Sequence, residues 1–339
     1  MVAIEKTQMI PSADRTQTAL WRTRVTELLG IARPYVQGGL AHLAFAELCT
    51  AVSNAGGLGQ ITATSTGSPD ALREEIRRVR DGTDRPFGVN FAIGHIPIEP
   101  YLDVALEENV PVLSITGGNP QAAFERSQGS RAKKVVLVAG VRAARKAESL
   151  GADAVIAVGV EGGGHLGRDD LGMVTLLPRV VEAVSIPVLA SGGIVDGYGL
   201  VAALALGAEG VEMGTRFVAT RECRAHDAYK QAIVAAGEVD TRIIERSVGR
   251  PGRVLPSRFV DEILAQEAEG VDMKDLLPWI EGSRNRLAAL EGKLDEGFVW
   301  AGQGVGGIRD VPTVAELFDR MDREAHAALE RIRAKGLEV

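Results

Sequence analysis

The sequence predicts an α/β protein: a (β/α)8 TIM barrel with a smaller helical C-terminal cap. Three observations lead there. Eight short apolar, β-branched runs recur between residues 30 and 217, and helical stretches separate them. The runs are apolar almost throughout, as strands of a parallel sheet buried on both faces must be. Glycine supplies 40 of 339 residues, and its densest loops follow the sixth, seventh and eighth runs. A doubly wound open sheet usually has about five or six strands and puts its phosphate loop after the first. Eight units in this span favour the closed barrel.

In chain order the strand candidates begin with Pro34-Tyr-Val-Gln-Gly-Gly39, Gly57-Leu-Gly-Gln-Ile-Thr62, Pro86-Phe-Gly-Val-Asn-Phe91 and Pro111-Val-Leu-Ser-Ile-Thr-Gly117. Lys134-Val-Val-Leu-Val-Ala-Gly140, Ala154-Val-Ile-Ala-Val-Gly159, Ile186-Pro-Val-Leu-Ala-Ser-Gly192 and Gly210-Val-Glu-Met-Gly-Thr215 complete the set. Residues 71–80, 141–150 and 200–206 carry helical patterning between them. Beyond Phe217 the pattern changes. Residues 225–236, 257–266, 271–280 and 284–290 read as helices, and 314–335 as one long amphipathic helix. These segments are expected to form the last barrel helix, a helical cap over the barrel mouth and a C-terminal helix docking back.

Composition narrows the function classes. Lys+Arg 38 against Asp+Glu 45 gives a net charge of −7, which argues against a basic nucleic-acid-binding face. Aromatics are 4%, too sparse for base-stacking platforms. Cys49 and Cys223 cannot build a disulfide framework or a four-thiolate metal site. No apolar run approaches a membrane span. Residues 1–18 carry Glu5, Lys6, Asp14 and Arg15 where a signal peptide needs an apolar core. The expectation is a cytoplasmic protein acting on a small molecule, without nucleic-acid or membrane partners.

Barrel active sites are built from loops at the C-terminal strand ends. Ser191-Gly192-Gly193 and Met213-Gly214-Thr215-Arg216 end the last two strands, where barrels commonly hold phosphate. Glycines let the backbone approach, N–H groups at a helix start donate, and Thr215 adds a hydroxyl. The loop Gly159-Val-Glu-Gly-Gly-Gly-His165 puts three glycines before a histidine, a turn wider than a structural connection requires. His165, with a near-neutral intrinsic pKa, is the candidate proton carrier. No second histidine lies at metal-ligand spacing from it. His42 fits the mouth or a helix start equally, His95 is a weaker substrate-contact candidate, and His226 and His326 read as solvated helix residues. Both cysteines read as packed and inert. Gly302-Gln-Gly304-Val-Gly-Gly307 matches the dinucleotide pattern G-x-G-x-x-G, yet only 32 residues follow and Pro312 comes almost at once. It is a glycine loop, placed to close over the barrel mouth, and no Rossmann half accompanies it.

Together these loops resemble the flavin-dependent nitronate monooxygenase (2-nitropropane dioxygenase-like) family. That family includes NADH:quinone reductases and a class of enoyl-acyl-carrier-protein reductases. The resemblance spans residues 24–317. It is carried by Gln37-Gly-Gly39, Asn54-Ala-Gly-Gly-Leu-Gly59, Phe87-Gly-Val-Asn90, Gly159-Val-Glu-Gly-Gly-Gly-His165, Ala190-Ser-Gly-Gly-Ile194, Met213-Gly-Thr-Arg-Phe217 and Ala301-Gly-Gln-Gly304. The resemblance implies FMN, held in a barrel domain over residues 20–225, with the cap and C-terminal helix over 226–339. It assigns Ser191, Gly192, Gly193, Gly214 and Thr215 to the phosphate. Gln37, Gly38, Gly39 and Asn90 fall along the isoalloxazine and ribityl chain, with Gly163 and Gly164 approaching from the sixth loop. Glu161 and Gln303 join the cofactor set, Glu161 by fixing that loop, and His165 takes the catalytic position. Leu40 stands where many monooxygenase members have methionine. The stretch 190–223 is closest to the NADH:quinone reductase branch.

The first functional expectation is oxidation of alkyl nitronates with molecular oxygen, the flavin carrying the difficult step. The alternative is an NAD(P)H-dependent FMN reductase acting on quinones or on enoyl or acyl thioesters. For a thioester carrier, Arg216, Arg221, Arg250 and Arg253 are the cations available near the mouth. An inactive flavin-binding protein is the non-enzymatic alternative. The sequence leaves the oligomeric state open; a homodimer is compatible with symmetry statistics alone.

Overall fold

Strands form where the apolar runs lie. They are β1 (Tyr35–Gln37), β2 (Gly59–Thr62), β3 (Phe87–Ala92), β4 (Val112–Thr116), β5 (Lys133–Val138) and β6 (Ala154–Val158). A two-residue strand outside the barrel, β7 (Gly164–His165), follows; β8 (Val188–Ser191) and β9 (Gly210–Met213) then complete the eight. In this computed structural model residues 21–94 and 96–336 are described, so residues 1–18 and His95 lie outside the described residues.

All barrel pairings are parallel, in the order β1-β9-β8-β6-β5-β4-β3-β2. The remaining seam closes at Leu58: its N–H donates to the Tyr35 carbonyl, and the Gln37 N–H donates to the Leu58 carbonyl, both at 2.9 Å. Period-two alternation sorts each strand's side chains between the outer helices and the lumen. Val89 and Phe91 of β3, Val155 and Ala157 of β6, and Val211 and Met213 of β9 pack outward into the main core. At the N-terminal end of the barrel, Val36, Leu58, Val112, Val135, Ala154, Ile156 and Leu189 form a second cluster, plugged by Val25, Leu29 and Ile31.

Helices between the strands start on readable caps. Ser68 accepts from the Ala71 N–H ahead of Pro69–Gly82, and Asp196 accepts from the Gly199 N–H in Gly197–Ala205. The long helix Val314–Arg333 opens on a capping box between Thr313 and Glu316. It lies against Gly197–Ala205 so closely that a Cβ on Gly197 would meet the Met321 carbonyl oxygen. Asp322 anchors this helix to the barrel. Its carboxylate accepts from Trp21 Nε1 at 3.0 Å, the Tyr35 hydroxyl at 2.8 Å and Arg33 Nε at 2.8 Å.

The region after β9 is not purely helical, contrary to the sequence expectation. Asp227–Ala235, Arg258–Ala268, Met273–Ile280 and Gly282–Glu291 are helices as expected. Between them lie β10 (Arg242–Ile244) and β11 (Gly252–Val254), which form an antiparallel sheet with β7. Strands of three residues carry too little alternation to be read locally, and β11 depends on a partner about 90 residues earlier in the chain. Ile244, Val254, Phe259, Val260, Ile263, Leu276, Ile280 and Phe298 give this region its own apolar cluster. Among the described residues no helix is long and apolar enough to cross a membrane.

Candidate active site

The C-terminal strand ends open into a cavity of about 1250 Å³. Polar side chains line or support this end of the lumen: Gln60, Thr62, Asn90, Ser114, Ser191 and Glu212 are all buried. Asn90 Nδ2 donates to Ser114 Oγ at 3.2 Å. Gly39 faces Asn90 so tightly that a Cβ there would overlap the amide. Gln37 lies fully buried behind this wall, where its Oε1 accepts from the Gln60 N–H at 2.9 Å. It supports the first loop and is not on the cavity surface.

The two glycine loops after β8 and β9 come together on one wall. Gly192 and Gly193 hold φ of 103° and 74°, conformations that favour glycine. Gly214 precedes the short helix Thr215–Val218, and Thr215 Oγ1 accepts from the Gly302 N–H at 2.9 Å. The glycine loop at residues 302–307 thus forms a side wall, with Gly302 and Gly304 facing the cavity and Gln303 outside it. Gly163 crosses beneath this loop; a Cβ there would lie 2.6 Å from the Gly302 nitrogen. Glu161 also faces away. Both its carboxylate oxygens accept from the Met173 N–H, at 2.9 and 3.1 Å, and its carbonyl accepts from the Gln303 N–H. Of the predicted residues, Gly38, Gly39, Asn90, Gly163, Gly164, His165, Ser191, Gly192, Gly193, Gly214 and Thr215 border the cavity; Gln37, Glu161 and Gln303 do not.

His165 reaches the cavity from β7, opposite Gly252 of β11. Its side chain is 54% exposed and its ring lies 5.0 Å from that of Trp300. Nε2 faces Glu245 Oε1 at 3.8 Å. Glu245 is a buried carboxylate at φ 61°, unusual for a residue with a side chain, and its Oε2 lies 3.8 Å from Arg250 Nε. The other candidates fall elsewhere. His42 sits in a turn at φ 64° near Gly282, and burial holds its pKa below the ordinary value. His226 caps Asp227–Ala235 through Nδ1, and His326 stacks on Trp21. Cys49 and Cys223 are buried, and desolvation pushes both thiols up, Cys223 to about 11.

The charged rim differs from the one the sequence suggested. Arg216 is buried, its Nη2 donating to the carbonyls of Ala219 at 2.6 Å and Asp310 at 2.8 Å. Arg253 is likewise turned inward onto the Val160 carbonyl and the Thr241 hydroxyl. Arg221 borders a separate cavity of about 360 Å³. Only Arg250 of the four faces the main cavity, where Arg142, Lys146 and Arg168 join it. Among the described wall residues Glu212 is the sole acid, and it lies on the floor. Arg142 and Lys146 look like ordinary helix-surface charges in sequence, so spacing alone gave no signal. Glu212 did leave one: a charged residue inside the otherwise apolar run Gly210-Val-Glu-Met-Gly.

A family profile described as nitronate monooxygenase matches residues 22–100 and 95–324. Among curated relatives, (3aS,4S,5R,7aS)-5-hydroxy-7a-methyl-1-oxo-octahydro-1H-indene-4-carboxyl-CoA dehydrogenase of Rhodococcus jostii is 33% identical, covering 93% of this chain and 98% of that one. A probable nitronate monooxygenase of Staphylococcus saprophyticus is 32% identical over 91% of this chain and 99% of its own. Among solved structures, FabK from Thermotoga maritima superposes with a TM-score of 0.87 at 39% identity, covering 93% of this chain and 99% of that one.

Proposed function

The chain belongs to the nitronate monooxygenase family and is an oxidoreductase; from that premise we propose that it binds FMN and acts on an acyl thioester of a phosphorylated carrier. Members of the family are in general flavoproteins. The residues fit FMN on three counts. Two glycine loops, one of them with left-handed Gly192 and Gly193, meet at the position barrels use for phosphate. Asn90 and the first-loop glycines offer a polar, closely approachable wall. A buried floor oxygen, Glu212 Oε1, has no hydrogen-bond partner among the described residues. Ser191, Gly192, Gly193, Gly214 and Thr215 would hold the phosphate, and Gly38, Gly39, Asn90, Gly163 and Gly164 the remainder. Bound there, FMN would supply hydride exchange between a nicotinamide and the acyl chain.

The observation that carries the substrate class is the rim. A cavity of about 1250 Å³ exceeds the usual ligand pocket of about 300–1,000 Å³. Four cations border it in a chain of net charge −7. A phosphorylated carrier uses both features, the acyl group reaching inward while Arg142, Lys146, Arg168 and Arg250 meet phosphate at the mouth. The named substrate class of the Rhodococcus jostii relative supports the same reading. His165 is the proton carrier. With Nε2 toward Glu245, Nδ1 is the atom left to exchange a proton with the substrate.

A second reading, oxidation of a small nitronate with molecular oxygen, is favoured by the family profile itself, and a cationic rim also draws a small anion. Anaerobic stopped-flow absorbance separates the two. The purified yellow protein is mixed with NADH, NADPH or a nitronate, with and without an enoyl-CoA. Bleaching by a nicotinamide, followed by recolouring on addition of the enoyl-CoA, is the expected result. A flavin response to nitronate alone would overturn the thioester assignment.

A further inference from the structure

Glu212 is a buried acid for which the chemistry above has no use. It sits on β9 between Val211 and Met213, which face the outer core, so its side chain enters the lumen beneath the mouth. The residue is 4% exposed and borders the cavity. Gly38, the residue after β1, packs against it: a Cβ on that glycine would lie 3.2 Å from the carboxyl carbon. Ser191 of β8 gives the carboxyl a hydroxyl hydrogen bond, and Oε1 is left without any among the described residues. Gly38 and Ser191 thus face it, and among the described residues no charged side chain forms an ion pair with it. Burial without a counter-ion pushes the acid from 4.5 to about 7, against the opposing effect of Ser191.

Filling the cavity makes the ionised form still less favourable. A bound ligand displaces the water that remains above the floor, and a buried carboxylate without a cation costs far more than a buried acid. The proposed ligand also carries its own phosphate charge. The neutral acid, by contrast, has an O–H donor that the carboxylate lacks, and a flavin ring has acceptor atoms along its edge. We propose that Glu212 couples proton uptake to cofactor loading, the flavin being bound with this carboxyl in its neutral form. This rests on the flavin reading above. It adds a pH-dependent control on occupancy of that site, exerted by one floor residue.

The test is FMN binding by the full-length apoprotein, followed by quenching of flavin fluorescence between pH 5.5 and 9, for wild type and Glu212→Gln. Ionisation of the FMN phosphate and of rim groups is common to both chains and cancels in the ratio of their dissociation constants. That ratio is expected to be level below about pH 6 and to rise above about pH 7, approaching tenfold per pH unit. Glu212→Asp, which keeps an ionisable acid, is expected to retain a rise that the glutamine variant lacks. Circular dichroism at each pH separates weakened binding from unfolding. A ratio that stays level to pH 9, or that falls, would overturn the role of Glu212 while leaving the flavin reading intact. No binding by wild type even at pH 6 would overturn the flavin reading, and this inference with it.

Discussion

The two ends of the barrel lumen are built from the same eight strands and contain opposite chemistry. At the N-terminal end Val36, Leu58, Val112, Val135, Ile156 and Leu189 close on one another and on Val25 and Leu29. At the C-terminal end β4 and β8, one alternation later, present Ser114 and Ser191, and β3 and β9 add Asn90 and Glu212. Apolar burial stabilises the first end by roughly 25 cal/mol per Å² removed from water. The second end gives up that contribution and carries desolvated polar groups, one of them an oxygen without a partner among the described residues. The fold is held from below, and the upper layer is free to serve ligands. That division of labour can be broken experimentally from either side.

The largest effect is expected at the mouth. His165→Ala removes a half-exposed ring that, among the described residues, faces Trp300 and Glu245. Turnover should fall by about 10²- to 10⁴-fold, the usual contribution of a positioned acid or base, with flavin content and thermal stability unchanged. Loss of flavin together with activity would make His165 a structural residue instead. The converse test lies at the closed end. Ile156→Ala should cost about 2–5 kcal/mol in denaturant unfolding and leave the FMN dissociation constant where it was. A large change in FMN affinity from that position would mean the two ends are not separable.

Glu212→Gln tests the comparison on the stability side, without ligand. The acid is raised from 4.5 to about 7 in the folded state by burial. A carboxyl raised on folding keeps its proton in the folded chain after the unfolded chain has lost it. Wild-type stability from this group is therefore full below about pH 4.5, declines as pH rises towards 7, and is level beyond. Glutamine does not titrate. The stability difference between the variant and wild type should shift in the variant's favour across that window, by of order 3 kcal/mol in total. Urea melts at pH 4.5, 6 and 8 measure it; a difference independent of pH would show that the carboxyl is not desolvated as the fold requires.

The same contrast explains what could be read from sequence. All eight barrel strands were legible because apolar runs buried on both faces have few alternatives. The loop at residues 191–193 was legible because left-handed turns need glycine at fixed places, and Gly192 and Gly193 adopt them; the loop at 213–215 was legible from Gly214 and Thr215 closing the last apolar run. His165 stood out through the three glycines before it. The antiparallel sheet of β7, β10 and β11 was not legible, since its pairing is long-range and its strands are two or three residues long. Nor was Glu245, which meets His165 only through that sheet. The rim was misread for a related reason: an arginine's sequence position does not reveal whether its guanidinium faces solvent. Arg216 and Arg253 turn inward to backbone carbonyls, while Arg142 and Lys146, one helical turn apart, border the cavity.

That last pair gives the smallest expected effect and the sharpest test of what the mouth is for. Arg142 and Lys146 are exposed and form no ion pair among the described residues, so neither supports the fold appreciably. Each exposed cation facing a phosphate should contribute about 0.2–1 kcal/mol, so Arg142→Ala or Lys146→Ala should raise KM for a coenzyme A thioester roughly 1.4- to five-fold. Turnover at saturation should not move, because binding that is equal in ground and transition state enters KM alone. Added salt should weaken wild type more than the double variant, since mobile ions screen the contacts the variant has already lost. A truncated thioester without phosphate should bind both chains alike. If the double variant instead leaves KM unchanged and binds the phosphorylated substrate as tightly as wild type in low salt, these cations are ordinary surface charge. The width of the mouth would then need another occupant.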